Sequence, residues 1–203
     1  MRGAYLILFV LAIFATGCQQ KSFDTKEELL SYISDPENGY LQKKQVNGVE
    51  ISLMYRPVDL TVIQELEGVS TKASIDSLRA FYQENVYFNL SLSKNGRELL
   101  SAVPSNRHEF GAMVNQLSFG MDQKIHLYNK NKDTINMKDY VYPRMYGMTH
   151  ATSMLLVFPR DEVVKDNGEL TLSIEDIGVK TGEVKFKMSV RKIKDEPMLQ
   201  FDI

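Results

Sequence analysis

The sequence lacks the cysteines that could cross-link its fold, so side-chain packing must stabilise it. Its 203 residues contain one cysteine, Cys18, so no disulfide can form within the chain. Tryptophan is absent, and the six prolines and twelve glycines form no low-complexity segment. A chain of this length can bury about 70% of its surface on folding, so a hydrophobic core alone can stabilise it.

An excess of charge of one sign is also missing. Lys and Arg number 24 against 26 Asp and Glu, which gives a formal net charge of −2. This weak acidity argues against nucleic acid as a partner. The same balance predicts that no basic patch is present for lipid headgroups.

Sequence signatures of catalysis are missing as well. The chain has no nucleophile elbow, no phosphate-binding loop and no HExxH zinc motif. The three histidines, His108, His126 and His150, lie far apart in the sequence. We therefore expect no cofactor and a non-enzymatic binding or accessory module. An envelope hydrolase whose site cannot be read from one sequence stays open as an alternative.

The most informative stretch lies at the N-terminus. Arg2 supplies a positive start, and residues 5–14 form a continuous apolar run. Such a run is too short to span a bilayer, which needs about 20 apolar residues, but it matches the apolar region of a secretory signal. The first residues therefore predict export from the cytoplasm.

The apolar run leads into small residues and then the cysteine, in the order Ala15-Thr16-Gly17-Cys18. This motif resembles the lipobox of bacterial lipoproteins, a family that usually has Leu where Ala15 stands. The resemblance implies that residues 1–17 are a signal peptide. It also implies that Cys18 becomes the mature N-terminus and carries lipid, such as palmitate, on its thiol and amine. An ordinary signal peptide with a chance cysteine is the alternative.

The resemblance also implies a membrane partner. Each buried CH₂ contributes about 0.8 kcal/mol, so the two or three acyl chains of a lipoprotein hold firmly where a single chain does not. Gln19, rather than Asp, follows the cysteine, which favours the outer membrane of the cell envelope. The mature chain would have 186 residues (203 − 17) and a net charge of −3 (23 − 26). Its further partner would be an unknown envelope protein or glycan.

Hydrophobic periodicity predicts an α+β fold. Residues 18–23 are predicted to form a short tether, with helices concentrated before residue 118 and strands after it. We expect an N-terminal hairpin and helices to pack on a C-terminal antiparallel β-sheet or sandwich. Residues 24–203 are predicted to form one domain, and a sub-boundary near 118–122 stays open.

Capping residues predict where several helices begin. Asp24, with Glu27 three residues later, predicts the start of the first helix, and Asn106 with Glu109 predicts a later one. A further helix is expected to follow Ser74. Each of these expectations rests on a polar side chain that can accept a hydrogen bond from the first helical turn.

Turn residues and alternation predict the strands. Asn47-Gly48 between two apolar runs predicts a tight hairpin, because both residues tolerate a positive φ. The apolar run 151–158 predicts a central strand that is buried on both faces. Alternation over 184–190 predicts a strand with a solvent-exposed, basic face formed by Lys185, Lys187 and Arg191.

A candidate binding face alternates along residues 140–146: Tyr140, Tyr142, Arg144 and Tyr146. On an edge strand these three phenols and one guanidinium would share a side, while Val141 and Met145 would point to the core. Tyr and Arg make good contacts with sugars and peptides. The alternative is that the Tyr rings lie half-buried over the edge of a sandwich.

A candidate metal site overlaps this stretch. Met145, Met148 and His150 offer two thioethers and an imidazole, which are ligands that suit Cu(I). Methionine also fills irregular gaps in protein cores, and the chain has ten of them. A copper-binding module is therefore a further alternative.

Overall fold

The computed structural model describes residues 20–66, 71–145 and 147–201. The predicted signal peptide and Cys18 lie outside these ranges, as does Tyr146 of the candidate binding face. The described part contains seven α-helices and twelve strands. The α+β class predicted from the sequence is therefore confirmed.

The elements follow one another from a short strand at residue 22 to another at residue 199. The strands are β1 (Ser22–Phe23), β2 (Leu41–Val46), β3 (Val49–Arg56), β4 (Asn85–Lys94), β5 (Arg97–Glu98), β6 (Ile125–Tyr128), β7 (Thr134–Ile135), β8 (Asp139–Val141), β9 (Thr152–Pro159), β10 (Glu169–Ile174), β11 (Val184–Ser189) and β12 (Met198–Leu199). The helices are α1 (Lys26–Ser34), α2 (Val58–Glu65), α3 (Lys72–Tyr82), α4 (Leu99–Ala102), α5 (Arg107–Phe119), α6 (Arg160–Val164) and α7 (Val190–Lys194). A 3₁₀ turn spans Pro36–Asn38.

The larger sheet has the order β2-β3-β4-β9-β8, with β5 beside β4. Its neighbouring strands pair antiparallel. β9 lies between β4 and β8, so the central strand predicted at 151–158 is confirmed. Only one of its faces is fully buried, because Leu155 and Val157 are half-buried beside the residues of α2 and α3.

The smaller sheet has the order β11-β10-β6-β7 and lies entirely after residue 118. Phe186 and its alternate neighbours in β11 are buried, whereas Lys185 and Lys187 are exposed, as the alternation predicts. Arg191 does not continue this face, because the chain turns into α7 at Val190. The strand prediction is thus confirmed up to Ser189.

The N-terminal hairpin packs on this C-terminal sheet. The Lys187 backbone N–H donates to Oε1 of Gln42 in β2 at 3.3 Å, and the Lys44 ammonium lies 5.7 Å from the centre of the Phe186 ring. One cluster of buried side chains includes Leu53 of the larger sheet and Leu127 of the smaller one. The same cluster draws on residues from both sides of 118–122.

Two helix starts differ from the prediction by a few residues. Thr25, not Asp24, caps α1, and its hydroxyl oxygen accepts from the Glu28 backbone N–H at 3.2 Å. Thr71 caps α3, and Ser74 is the third residue inside that helix and completes a capping box. In both cases the acceptor lies on the extended residue directly before the helix, where the first free N–H groups can be reached.

Two predictions from local chemistry are confirmed. The Asn106 side chain accepts from the Glu109 backbone N–H at 3.0 Å at the start of α5. Asn47 and Gly48 have φ values of 50° and 75°, and Val46 pairs with Val49 across the hairpin. These angles belong to the tight turn that Asn-Gly favours.

Candidate functional site

The first described residues are bound to the C-terminal strand. β1 pairs in parallel with β12, and the Lys21 carbonyl accepts from the Met198 backbone N–H at 2.9 Å. The Gln20 side chain donates to the Glu196 carbonyl at 2.8 Å. Residues 20–23 are therefore not a free tether, because paired backbone groups hold them to the body. We call β1, β12 and the two ion pairs described next the clasp.

The first ion pair joins two helices to β12. Asp59 of α2 is 3% exposed and accepts from Nε and Nη2 of Arg79 in α3, both at 2.7 Å. The Leu199 backbone N–H donates to Oδ2 of Asp59 at 2.7 Å, and Nη2 of Arg79 donates to the Leu199 carbonyl at 2.8 Å. Both charged groups therefore also satisfy the backbone of the strand.

The second ion pair lies at Glu196, just before β12. Its Oε2 accepts from the Tyr55 hydroxyl and from the Val58 backbone N–H, each at 2.9 Å. Its Oε1 accepts from Nη2 of Arg160 at 2.6 Å. Burial, reinforced by the negative charge of Glu196, raises the pKa of Tyr55 well above its usual value. The phenol therefore stays protonated and remains a donor to the carboxylate.

A groove of about 290 Å³ opens beside the clasp. We call it the basic groove, and its lining residues are Lys21, Tyr32, Tyr40, Ser189, Arg191, Lys192 and Asp195. They come from the residue before β1, from α1, from the residue before β2, and from the segment around α7. The pairing of β1 with β12 therefore places Lys21 beside the other lining residues of the groove.

Two tyrosines form part of the groove wall. Their rings, Tyr32 and Tyr40, lie 5.9 Å apart between centres. The Lys21 ammonium is 4.2 Å from the centre of the Tyr32 ring, and the Lys192 ammonium is 5.2 Å from that of Tyr40. Lys192 also donates to the Asn38 carbonyl at 2.8 Å. Both lysines are thus positioned by an aromatic face, which attracts cations.

The charge of the groove is positive. Three cations, Lys21, Arg191 and Lys192, face one carboxylate, Asp195, so their sum is +2. Asp195 lies 3.3 Å from Nε of Arg191 in an exposed pair. The sequence-based expectation that the chain has no basic patch is therefore wrong. The net charge of a chain does not report how folding distributes that charge.

A second groove, of about 510 Å³, lies on the outer face of the smaller sheet. We call it the sheet groove, and it is lined by Tyr128, Asn129, Lys130, Lys132, Glu169, Thr171, Glu183, Lys185 and Lys187. Its ion pairs, Lys187–Glu169 and Lys185–Glu183, are more than half exposed. An open polar wall with one aromatic ring can contact a polar polymer or a protein surface.

The candidate binding face is not assembled as predicted. Tyr140 lies opposite the buried Leu156 of β9, so its ring packs against the core, and Tyr142 is half-buried there too. Val141 is 51% exposed, and Met145 is also exposed. The prediction that these two residues face the core is therefore wrong.

Arg144 is the described member of the candidate face that is exposed. Its Nη2 donates to the Ser118 hydroxyl at 2.8 Å, which ties the loop after β8 to the end of α5. Tyr140 and Tyr142 match the alternative in which the rings lie half-buried over the edge of the sheet. The four residues therefore do not form one exposed face in the described part of the chain.

The candidate copper ligands lie in a surface turn. The Met148 backbone N–H donates to the Met145 carbonyl at 3.0 Å, and Met148 and His150 are exposed. Within the described ranges, no group of three His, Cys, Asp or Glu side chains could hold a metal ion. The copper hypothesis on Met145, Met148 and His150 stays a prediction.

The three histidines lie on different parts of the fold: His108 on α5, His126 on β6 and His150 in the segment before β9. Nε2 of His126 lies 3.0 Å from Oε1 of Glu175, whose other oxygen accepts from the Lys124 ammonium at 2.7 Å. These contacts lower the pKa of Glu175, with the hydrogen bond from Lys124 as the largest cause. His108 and His150 are both exposed. His126 thus belongs to a surface ion-pair group.

Comparisons with known proteins add little to this geometry. No family model and no curated protein sequence matches the chain. Among solved structures it is similar to a DUF4426 family protein from Pseudomonas aeruginosa PAO1, with 8% identity, a TM-score of 0.36 and coverage of 74% of this chain and 94% of that one. It is also similar to a protein of unknown function from Burkholderia pseudomallei K96243, with 8% identity, a TM-score of 0.37 and coverage of 81% and 83%. Similarity at this level carries no functional argument.

Proposed function

We propose that the chain is a lipoprotein of the bacterial cell envelope, anchored in the outer membrane through lipid on Cys18. It acts there as a non-enzymatic binding or accessory module. The observation that carries the proposal is the sole cysteine of the chain at the end of a lipobox-like motif. None of the helices in the described part of the chain has the length and apolarity to cross a bilayer.

The short distance between anchor and body supports this proposal. Gln20, two residues after Cys18, already donates a hydrogen bond to Glu196. An extended chain spans at most about 3.5 Å per residue, so the two Cα atoms are at most about 7 Å apart. The clasp then couples the anchor to both ends of the domain. The module would therefore sit on the bilayer surface, not on a stalk.

The binding role is assigned to the sheet groove. It is the larger of the two grooves described above, and its wall combines Tyr128 with lysines and glutamates. A groove with this lining suits an envelope protein or a glycan, since Tyr can stack on a sugar while charged groups bind its hydroxyls. The proposed partner belongs to one of these two classes.

The anchor is tested by Cys18→Ser in the full chain, with Gln19→Ser as the matched control. We expect Cys18→Ser to abolish palmitate incorporation and signal cleavage, because the atom that receives the lipid is gone. The control should be processed and should partition into detergent like the parent. Equal labelling of the parent and Cys18→Ser would show that the lipid is not on this residue.

The binding role is tested in the same cells by photo-cross-linking. A photo-reactive side chain at Thr171, inside the sheet groove, should give one discrete adduct in intact envelopes. The same side chain at Glu50, which is exposed on β3 in the larger sheet, should not. Identical patterns from both positions would contradict a specific surface.

A further inference from the structure

We propose that the basic groove binds the phosphate groups of anionic lipid headgroups in the membrane that carries the anchor. This inference rests on the proposed lipid anchor at Cys18, and it adds a second point of membrane contact. It concerns a site that the sequence-based expectation of no basic patch had excluded.

The first argument is reach. Lys21 lies three residues after Cys18, a span of at most about 11 Å for an extended chain. Its main chain is held by the hydrogen bond from Met198, so the groove cannot move away from the anchor without opening the clasp. Ser22 and Phe23 then pair with Met198 and Leu199. A lipid chain on Cys18 therefore brings the groove to the level of the headgroups.

The second argument is chemistry. Lysine ammonium groups bind phosphate as point charges, and the arginine guanidinium offers a planar fork of donors to phosphate oxygens. Tyr40 beneath Lys192 is buried, whereas Lys21 sits over Tyr32, a half-buried ring with an apolar body and a polar edge. Tyrosine is favoured at membrane interfaces for this reason. The groove thus combines cations with one ring, Tyr32, that is suited to the interface.

The third argument is the distribution of charge. The mature chain would carry −3, while the groove carries +2, so the remaining residues sum to −5 (−3 − 2). An anionic bilayer attracts the basic groove. The sheet groove also sums to +2, from four lysines and two glutamates, so the nearness of Lys21 to the anchor decides which of the two grooves meets the lipid. An anchor alone would leave the body free to rotate about the lipidated cysteine.

The test measures how fast an amine-reactive reagent modifies lysines in the full lipidated protein, placed in vesicles. One set of vesicles is phosphatidylcholine, and the other also contains phosphatidylglycerol. We expect Lys21 and Lys192 to react about fivefold more slowly with the anionic lipid, as bound phosphate covers their ammonium groups. Raising the salt from about 0.1 M to about 1 M should remove the protection, since the Debye length falls from about 10 Å to about 3 Å.

Lys94 and Arg97 provide the matched controls. Both flank the Asn95-Gly96 turn, which lies where the end of β4 pairs with the start of β3. The groove lies near the other end of β3, where the Tyr55 backbone N–H donates to the Tyr40 carbonyl. Lys94 should react equally in both vesicles. Arg191→Glu should abolish the protection of Lys21 and Lys192, while Arg97→Glu, with the same change of charge, should preserve it.

The outcomes separate the anchor from the groove. A protein that floats with both vesicles but shows no protection of Lys21 and Lys192 overturns the groove proposal and leaves the anchor intact. Equal protection of Lys94 also overturns it, because the contact would then be non-specific. A protein that floats with neither vesicle contradicts the anchor and the groove proposal together.

Discussion

The two ends of the larger sheet are built in different ways. At one end, the turns Asn47-Gly48 and Asn95-Gly96 each reverse the chain with adjacent residues of positive φ. They touch through a hydrogen bond from the Asn95 backbone N–H to the Gly48 carbonyl at 3.4 Å. At the other end, the clasp joins groups as far apart in sequence as Ser22 and Met198, which are 176 positions apart (198 − 22).

This difference determines how strongly the loss of one interaction at either end destabilises the fold. A tight turn is a local preference, and replacing its glycine adds backbone strain at one point. A buried ion pair is stable only while both charged partners are present. Desolvation offsets most of its attraction, but removing one partner leaves the other charge buried and uncompensated. The clasp end should therefore be the more sensitive of the two.

Replacing Glu196 should have the largest effect. In Glu196→Ala, the Arg160 guanidinium, the Tyr55 hydroxyl and the Val58 backbone N–H all lose their acceptor. Breaking a buried pair in this way costs about 3–5 kcal/mol. Urea unfolding should show a free energy of unfolding lower by that amount.

The neighbouring Asp195→Ala is the control for this experiment. Asp195 pairs with Arg191 on the surface, where the two side chains are 44% and 70% exposed. Exposed pairs contribute about 0–1 kcal/mol, so the control should unfold almost like the parent. Similar losses in the two variants would show that Glu196 is not the centre of the clasp.

Asp59→Asn should have the second-largest effect. Oδ1 of Asp59 accepts from Nε of Arg79, and Oδ2 accepts from both Nη2 of Arg79 and the Leu199 backbone N–H. The amide keeps the shape of the carboxylate but removes its charge and replaces one of these two acceptors with a donor. Hydrogen bonds to charged groups contribute about 1.5–3 kcal/mol each, so we expect a loss of about 2–3 kcal/mol.

The local measurement for Asp59→Asn is amide hydrogen exchange. The Leu199 and Gln200 amides, which bond to Asp59 and to the Phe23 carbonyl, should exchange faster than those of β3 and β4. Uniformly faster exchange over the whole chain would mean that the clasp does not open as a separate unit.

Gly48→Val should have the smallest effect of the three. Gly48 has a φ of 75°, and a non-glycine residue in this left-handed region costs about 1–2 kcal/mol. A β-branched side chain is among the least tolerant there. The melting temperature should fall. The ratio between the exchange rates of the Leu199 and Gln200 amides and those of the β4 amides should stay the same as in the parent protein. An unchanged melting temperature would contradict a turn of this type.

The sequence predicted best where one short stretch decides the conformation. The turn at Asn47-Gly48 and the cap at Asn106 follow from the donors, acceptors and φ ranges of adjacent residues. The shifts at the first and third helices arise because Asp24 and Thr25, like Thr71 and Ser74, offer equivalent acceptors within a few positions. Which of them lies directly before the helix depends on how the chain enters it.

The predicted orientation of the candidate binding face was wrong because alternation does not show which side of a strand faces the core. Alternation along 140–146 tells which side chains share a side of an extended chain, but not which side meets the core. The pairing of Tyr140 with Leu156 and of Val141 with Leu155 decided this, and it depends on a strand that follows in the sequence. The aromatic side was therefore turned toward the core, while Val141 was turned to solvent.

The α+β class and most individual elements were determined by the sequence alone, because each depends on side chains that are neighbours along the chain. The N-terminal address stays a prediction from the sequence. The basic groove and the clasp were decided only by the tertiary structure. Lys21 and Lys192 lie 171 positions apart (192 − 21), and their shared groove requires β1 to pair with β12. Neither local propensity nor net charge carries that information, since both are the same whether or not the two ends meet.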